Sequence, residues 1–101
     1  MSSAVNKTNE SPKKIKKSQV VDFYLTKSKE EISCHLKSCI DQVVRIQYKG
    51  YLRDIQIISE FSKMVSDDFK RIDIDAKTCF AKQMYLIERR LFNYKQIGKT
   101  Q

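Results

Sequence analysis

The sequence predicts an all-α protein, and three observations carry that expectation. Glycine occurs twice and proline once, too few for the regular turns of a β-sandwich or barrel. Lys, Gln, Leu and Met, whose unbranched stems lose little rotamer freedom in a helix, are plentiful. Apolar residues also recur at steps of three and four in successive runs, the spacing of one helix face. A chain of 101 residues suits one domain with a modest core, a size at which partners often supply further stability.

Residues 1–28 read as a basic tail. Residues 1–29 hold seven lysines against two acidic residues, whereas residues 30–101 hold thirteen cationic against ten acidic ones. Residues 1–18 contain Pro12 and show no apolar periodicity. Such a stretch cannot offset the entropy of ordering and is expected to be disordered. Lys13, Lys14, Lys16 and Lys17 are candidate contacts to nucleic acid or to an acidic patch. The same run suits a nuclear-import patch, so an intracellular and nuclear location is favoured over a cytoplasmic one. No apolar run approaches the length of a transmembrane segment. Within the tail, Val20, Val21, Phe23, Tyr24 and Leu25 form an apolar island.

A helical interaction domain is expected over residues 29–101. Ser28 and Glu31 stand at capping-box spacing, where each side chain satisfies an orphan backbone N–H at a helix start. Behind them run Ile32, Leu36, Cys39, Ile40, Val43, Val44 and Ile46. A second stripe, Tyr51, Ile55, Ile58, Phe61, Val65, Phe69 and Ile72, follows Gly50. One long helix carrying both stripes, kinked near Gly50, is expected in preference to a tight hairpin, because nothing else there favours a turn. Asp73-Ile74-Asp75 marks a break, with either aspartate able to cap the next helix. The third stripe is Ala76, Phe80, Met84, Ile87, Leu91 and Tyr94. Arg89, Arg90 and Lys95 complement its dipole, and Gly98 suits a C-terminal stop.

The expected architecture is a shorter helix folded antiparallel along the long one, as a helical hairpin or coiled-coil-like bundle. Two helices rarely enclose a full core. Ile32, Leu36, Val43, Ile55, Ile58, Val65, Phe69, Phe80, Ile87 and Leu91 are therefore expected to meet partner helices, in a homo- or hetero-oligomer.

Catalysis is not expected. The single histidine, His35, stands beside Cys34, and adjacent helical residues diverge too far to act as a nucleophile–base pair. It reads as a helix-surface residue. Cys34 and Cys39 are five apart, Cys79 is remote, and no metal site or cofactor follows from them. An odd number of cysteines suggests free thiols in a reducing compartment. The aspartates at 67, 68, 73 and 75 read as caps and solvated faces, with no glycine-bearing calcium loop around them.

The segment Lys17-Ser18-Gln19-Val20-Val21-Asp22-Phe23-Tyr24 resembles the PIP box, the short peptide that binds the sliding clamp (PCNA, proliferating cell nuclear antigen). Val20, Phe23 and Tyr24 match its aliphatic residue and aromatic pair, while Lys17 occupies the glutamine position. With lysines on both sides and Asp22 directly before Phe23, the arrangement is similar to the clamp-binding peptide of cyclin-dependent kinase inhibitors. The resemblance implies that Val20 and Phe23 fill the clamp's pocket and that Tyr24 packs at its edge. The expected function is thus a non-catalytic helical adaptor or complex subunit. The alternative is a PCNA-binding regulator or accessory factor in DNA replication or repair, with auxiliary nucleic-acid contact through the lysines.

Overall fold

Three chain reversals fold four helices against one another in a computed structural model that describes residues 14–100, without the side chains of Asp68 and of residues 97–100. Helix α1 spans Lys17–Thr26, α2 Lys29–Ile46, α3 Tyr51–Asp68 and α4 Ile74–Thr100, with a single 3-10 turn at Phe69–Arg71. No strand occurs among the described residues. None of these helices is long and apolar enough to cross a membrane.

Each reversal has a local cause. Helix α1 has no side-chain cap and is held by packing, with Val20 and Tyr24 buried. It ends where Lys27 turns extended and its N–H donates to the Phe23 carbonyl at 3.0 Å. Ser28 then builds the expected capping box: its hydroxyl accepts from the Glu31 N–H at 3.2 Å, and its own N–H donates to Glu31 Oε1 at 3.2 Å. Helix α2 stops at Gln47, which adopts the left-handed conformation at φ 49° and donates to the Val43 carbonyl at 2.9 Å. Gly50 follows at φ 89°, a backbone that glycine takes without steric cost. Between α3 and α4, Asp73 Oδ2 accepts from the Asp75 N–H at 3.2 Å, so the first of the two aspartates caps the helix.

Helix α1 packs closely on α4 and α2 on α3, and the two pairs share one core. Asp54 meets Arg90 near one end while Phe61 stacks on Phe80 further along, so α3 and α4 run antiparallel. Lys29 Nζ reaches the Ser66 carbonyl at 3.1 Å, which sets α2 and α3 antiparallel as well. His35 beside Glu88, and Ile46 beside Tyr94, make α2 and α4 parallel. The result is a four-helix bundle in which α2, α3 and α4 alternate in direction.

Three expectations change. The kinked long helix is instead two antiparallel helices, because two successive left-handed positions, Gln47 and Gly50, turn the chain back rather than bending it. Residues 17–26 of the expected tail are helix α1, docked by Val20 and Tyr24 into the core. Residues 1–13 of that tail lie outside the described residues. Finally, α4 continues through Gly98 to Thr100 rather than stopping there.

Candidate functional site

The stripe residues expected to face partners are largely consumed inside the chain. Ile32, Leu36, Val43, Ile58, Val65 and Ile87 are fully buried and Leu91 nearly so, while Ile55, Phe69 and Phe80 are partly buried against the same core. The physical reason is the fourth helix: with α1 docked, four amphipathic faces close on one another where two could not. Of the tail motif, Val20 and Tyr24 are core residues, and Phe23 packs at their edge against the Tyr24 and His35 rings. Lys14, Lys16 and Lys17 are exposed, and Lys13 lies outside the described residues.

Polar chemistry gathers where α1, α2 and α4 meet. His35 and Cys39 are four apart on α2 and so share a face. From α4, Glu88 reaches them, with its Oε2 3.0 Å from His35 Nε2. The same imidazole nitrogen lies 3.7 Å from Cys39 Sγ. From α1, the Tyr24 hydroxyl donates to the same Glu88 oxygen. Cys39 and Tyr24 are buried, the Glu88 side chain is 16% exposed and that of His35 is 37% exposed. Hydrogen bonding to Cys39 and to Glu88 raises the His35 pKa from 6.5 to about 10, against the opposing effect of burial. Burial, reinforced by the Glu88 carboxylate, pushes the Tyr24 phenol far above its ordinary range.

His35 is therefore not a free surface residue. Its position one step off the Ile32–Leu36–Cys39 stripe turns it toward α4 and under the rings of Phe23 and Tyr24. The sequence carries this signal as the four-residue His35–Cys39 spacing, which puts both side chains on one helical face, whereas the five-residue Cys34–Cys39 spacing does not. Nothing local announced Glu88 or Tyr24 as their partners.

Compared with known protein families, characterised proteins and solved structures, the chain matches none.

A second polar cluster lies on the α3 side of α4. Asp54, 3% exposed, receives two nitrogens of Arg90 and the hydroxyl of buried Tyr48. Among the described residues, the large apolar ones left exposed outside the core are Val44, Leu52, Ile74, Leu86 and Tyr94. Leu86 differs from the rest in its surroundings. It lies on the outer ridge of α4 between two clefts, one shared with α3 at Arg53 and Ile57, the other flanked by Lys17 and Lys82.

Proposed function

We propose that the protein is a non-catalytic helical adaptor whose docking face is the outer ridge of α4, centred on Leu86. The observation that supports this reading is the half-exposed Leu86, 48% accessible, at the common rim of two clefts. Ile57 adds apolar wall on one side. Arg53, Lys17 and Lys82 place cationic groups around the clefts, against a single carboxylate, Asp75, on the α1 side and the Arg90-paired Asp54 on the other. An apolar centre with a cationic rim fits an amphipathic helix that carries acidic residues beside its apolar stripe. This moves the docking face from the internal stripes to the outside of the finished bundle.

The test is capture of partners by the full-length chain carrying a photo-crosslinking residue at Gln83, beside Leu86. A partner should be recovered from the parent and from Leu52→Glu, since Leu52 lines neither cleft, and lost from Leu86→Glu. Identical recovery from all three would overturn the assignment of this face.

The clamp-binding alternative requires α1 to leave the bundle, since Val20 and Tyr24 are core residues in this conformation. A peptide of residues 13–29 would then bind the clamp more tightly than the whole folded chain does. Equal or absent binding by both would remove that alternative.

A further inference from the structure

Independently of the docking face, we propose that His35, Cys39 and Glu88 form a binding site for a borderline-soft divalent transition metal, zinc in the first instance. The three residues offer one nitrogen, one sulfur and one oxygen, all within 4.8 Å of one another. That mixture of donors is the set zinc accepts, whereas magnesium and calcium take oxygen alone.

Two of the three separations, those from His35 Nε2, lie near those of a coordinated ion, and the Cys39–Glu88 pair lies within 4.8 Å. With metal–nitrogen and metal–oxygen bonds of about 2.1 Å and a metal–sulfur bond of about 2.3 Å, tetrahedral ligands lie about 3.4–3.6 Å apart. His35 Nε2 stands 3.7 Å from Cys39 Sγ and 3.0 Å from Glu88 Oε2. Adjustments of a few tenths of an ångström would bring both distances to those values. One imidazole nitrogen already faces both other donors, which is the orientation shared coordination demands.

The supporting shell is also in place. Tyr24 donates to the Glu88 carboxylate, and an outer hydrogen bond of this kind orients a metal-ligating carboxylate. Phe23 and Tyr24 rings cover the imidazole, with centroid distances of 4.9 and 5.8 Å. The partly exposed edge of His35, 37% accessible, gives an entry path from solvent. Three protein ligands leave a fourth coordination position for water or another ligand. On binding, Cys39 ligates as thiolate, and its proton and any on Nε2 pass to solvent. The ion would tie α2 to α4, with α1 clamping the site through Tyr24.

Cobalt(II) titration of the full-length, reduced chain tests this, because a cobalt–thiolate bond produces a charge-transfer absorption that nitrogen and oxygen ligands do not. About one equivalent should bind per chain, with the band displaced by zinc. Cys39→Ser should abolish the band, while Cys34→Ser and Cys79→Ser should keep it. Tyr24→Phe should retain the band and weaken the affinity by about tenfold. Zinc should also raise the melting temperature of the parent and leave that of Cys39→Ser unchanged. Absence of the band in the folded parent would overturn the proposal. So would a band that survives Cys39→Ser or vanishes with Cys34→Ser. Should Cys39→Ser fail to fold, X-ray absorption of the zinc-loaded parent decides: one sulfur with nitrogen and oxygen neighbours supports the site, and oxygen and nitrogen alone refutes it.

Discussion

Arg90 grips Asp54 across the α3–α4 interface with two nitrogens, Nη2 at 2.8 Å from Oδ1 and Nε at 3.0 Å from Oδ2. The two partners are unequally placed. The Asp54 side chain is 5% exposed, while that of Arg90 is 43% exposed and can be rehydrated if it loses its partner. Tyr48 adds its hydroxyl to the same carboxylate and stacks on Tyr94 at 5.2 Å.

Mutation of this pair should therefore be asymmetric. Arg90→Met keeps the apolar stem but strands a buried carboxylate, at a cost of about 3 kcal/mol. Asp54→Asn keeps an acceptor for Tyr48 and releases Arg90 to water, at a cost of about 1 kcal/mol. The double variant should be less destabilised than the two single effects added together, because no buried charge is then left unpaired. Urea denaturation of the four proteins reads all three values.

Tyr24 anchors α1 in two separable ways. Tyr24→Phe removes the hydroxyl and with it the hydrogen bond to Glu88, and should cost about 1–2 kcal/mol. Tyr24→Ala also opens a cavity beside Phe61, whose ring centroid is 5.4 Å away, and should cost about 3–5 kcal/mol. Amide exchange over residues 17–26 checks the structural side: protection in the parent should approach that of α4 and collapse in the alanine variant.

The raised His35 pKa makes stability depend on pH in a defined direction. The folded state binds the imidazole proton more tightly than the unfolded chain does. The stabilisation is then fully present below the ordinary pKa of 6.5 and is lost as pH rises through about 10. With chelator present, the urea midpoint of the parent should fall across that window. His35→Gln should fall less, and equal slopes would contradict the assignment.

The α2–α3 reversal gives a pair of opposite signs. Gly50 sits at φ 89° with no side chain or backbone near the position of an added Cβ. Gly50→Ala thus suffers backbone strain alone, and should cost about 1 kcal/mol. Gln47, also left-handed at φ 49°, already carries that strain. Gln47→Gly should stabilise by about 0.5–1 kcal/mol. Thermal melts of the two variants should move in opposite directions.

Helical class, the Ser28 start, the Asp73 break and most of the three stripes are legible in the chain, because each depends on residues within a turn or two of one another. Val44 and Tyr94 of the stripes are exposed, and buried Ala81 belongs to none of them. Ser28 and Glu31 are three apart, and the Ile32–Leu36–Cys39 spacing places those side chains on one face whatever lies opposite. Gly50 was legible as a weak point but not as a reversal, since Gln47 carries no residue-type signal for a left-handed backbone. The docking of α1 was not legible either. Its ten residues have no side-chain cap, and its apolar island reads equally as a peptide for another protein.

What covers the apolar stripes, and which polar groups meet behind them, was decided by tertiary packing alone. Helix α1 fills the side of the core that a hairpin would leave open, so the faces a lone hairpin would offer to partners turn inward. Tyr24, His35 and Glu88 come from three helices, with 53 and 64 residues separating Glu88 from the other two. Asp54 and Arg90 are likewise 36 residues apart. Periodicity specifies which face of each helix is apolar, but carries no information on which faces meet. That choice is made by the closure of the whole bundle, where long-range contacts offset the entropy of bringing distant segments together.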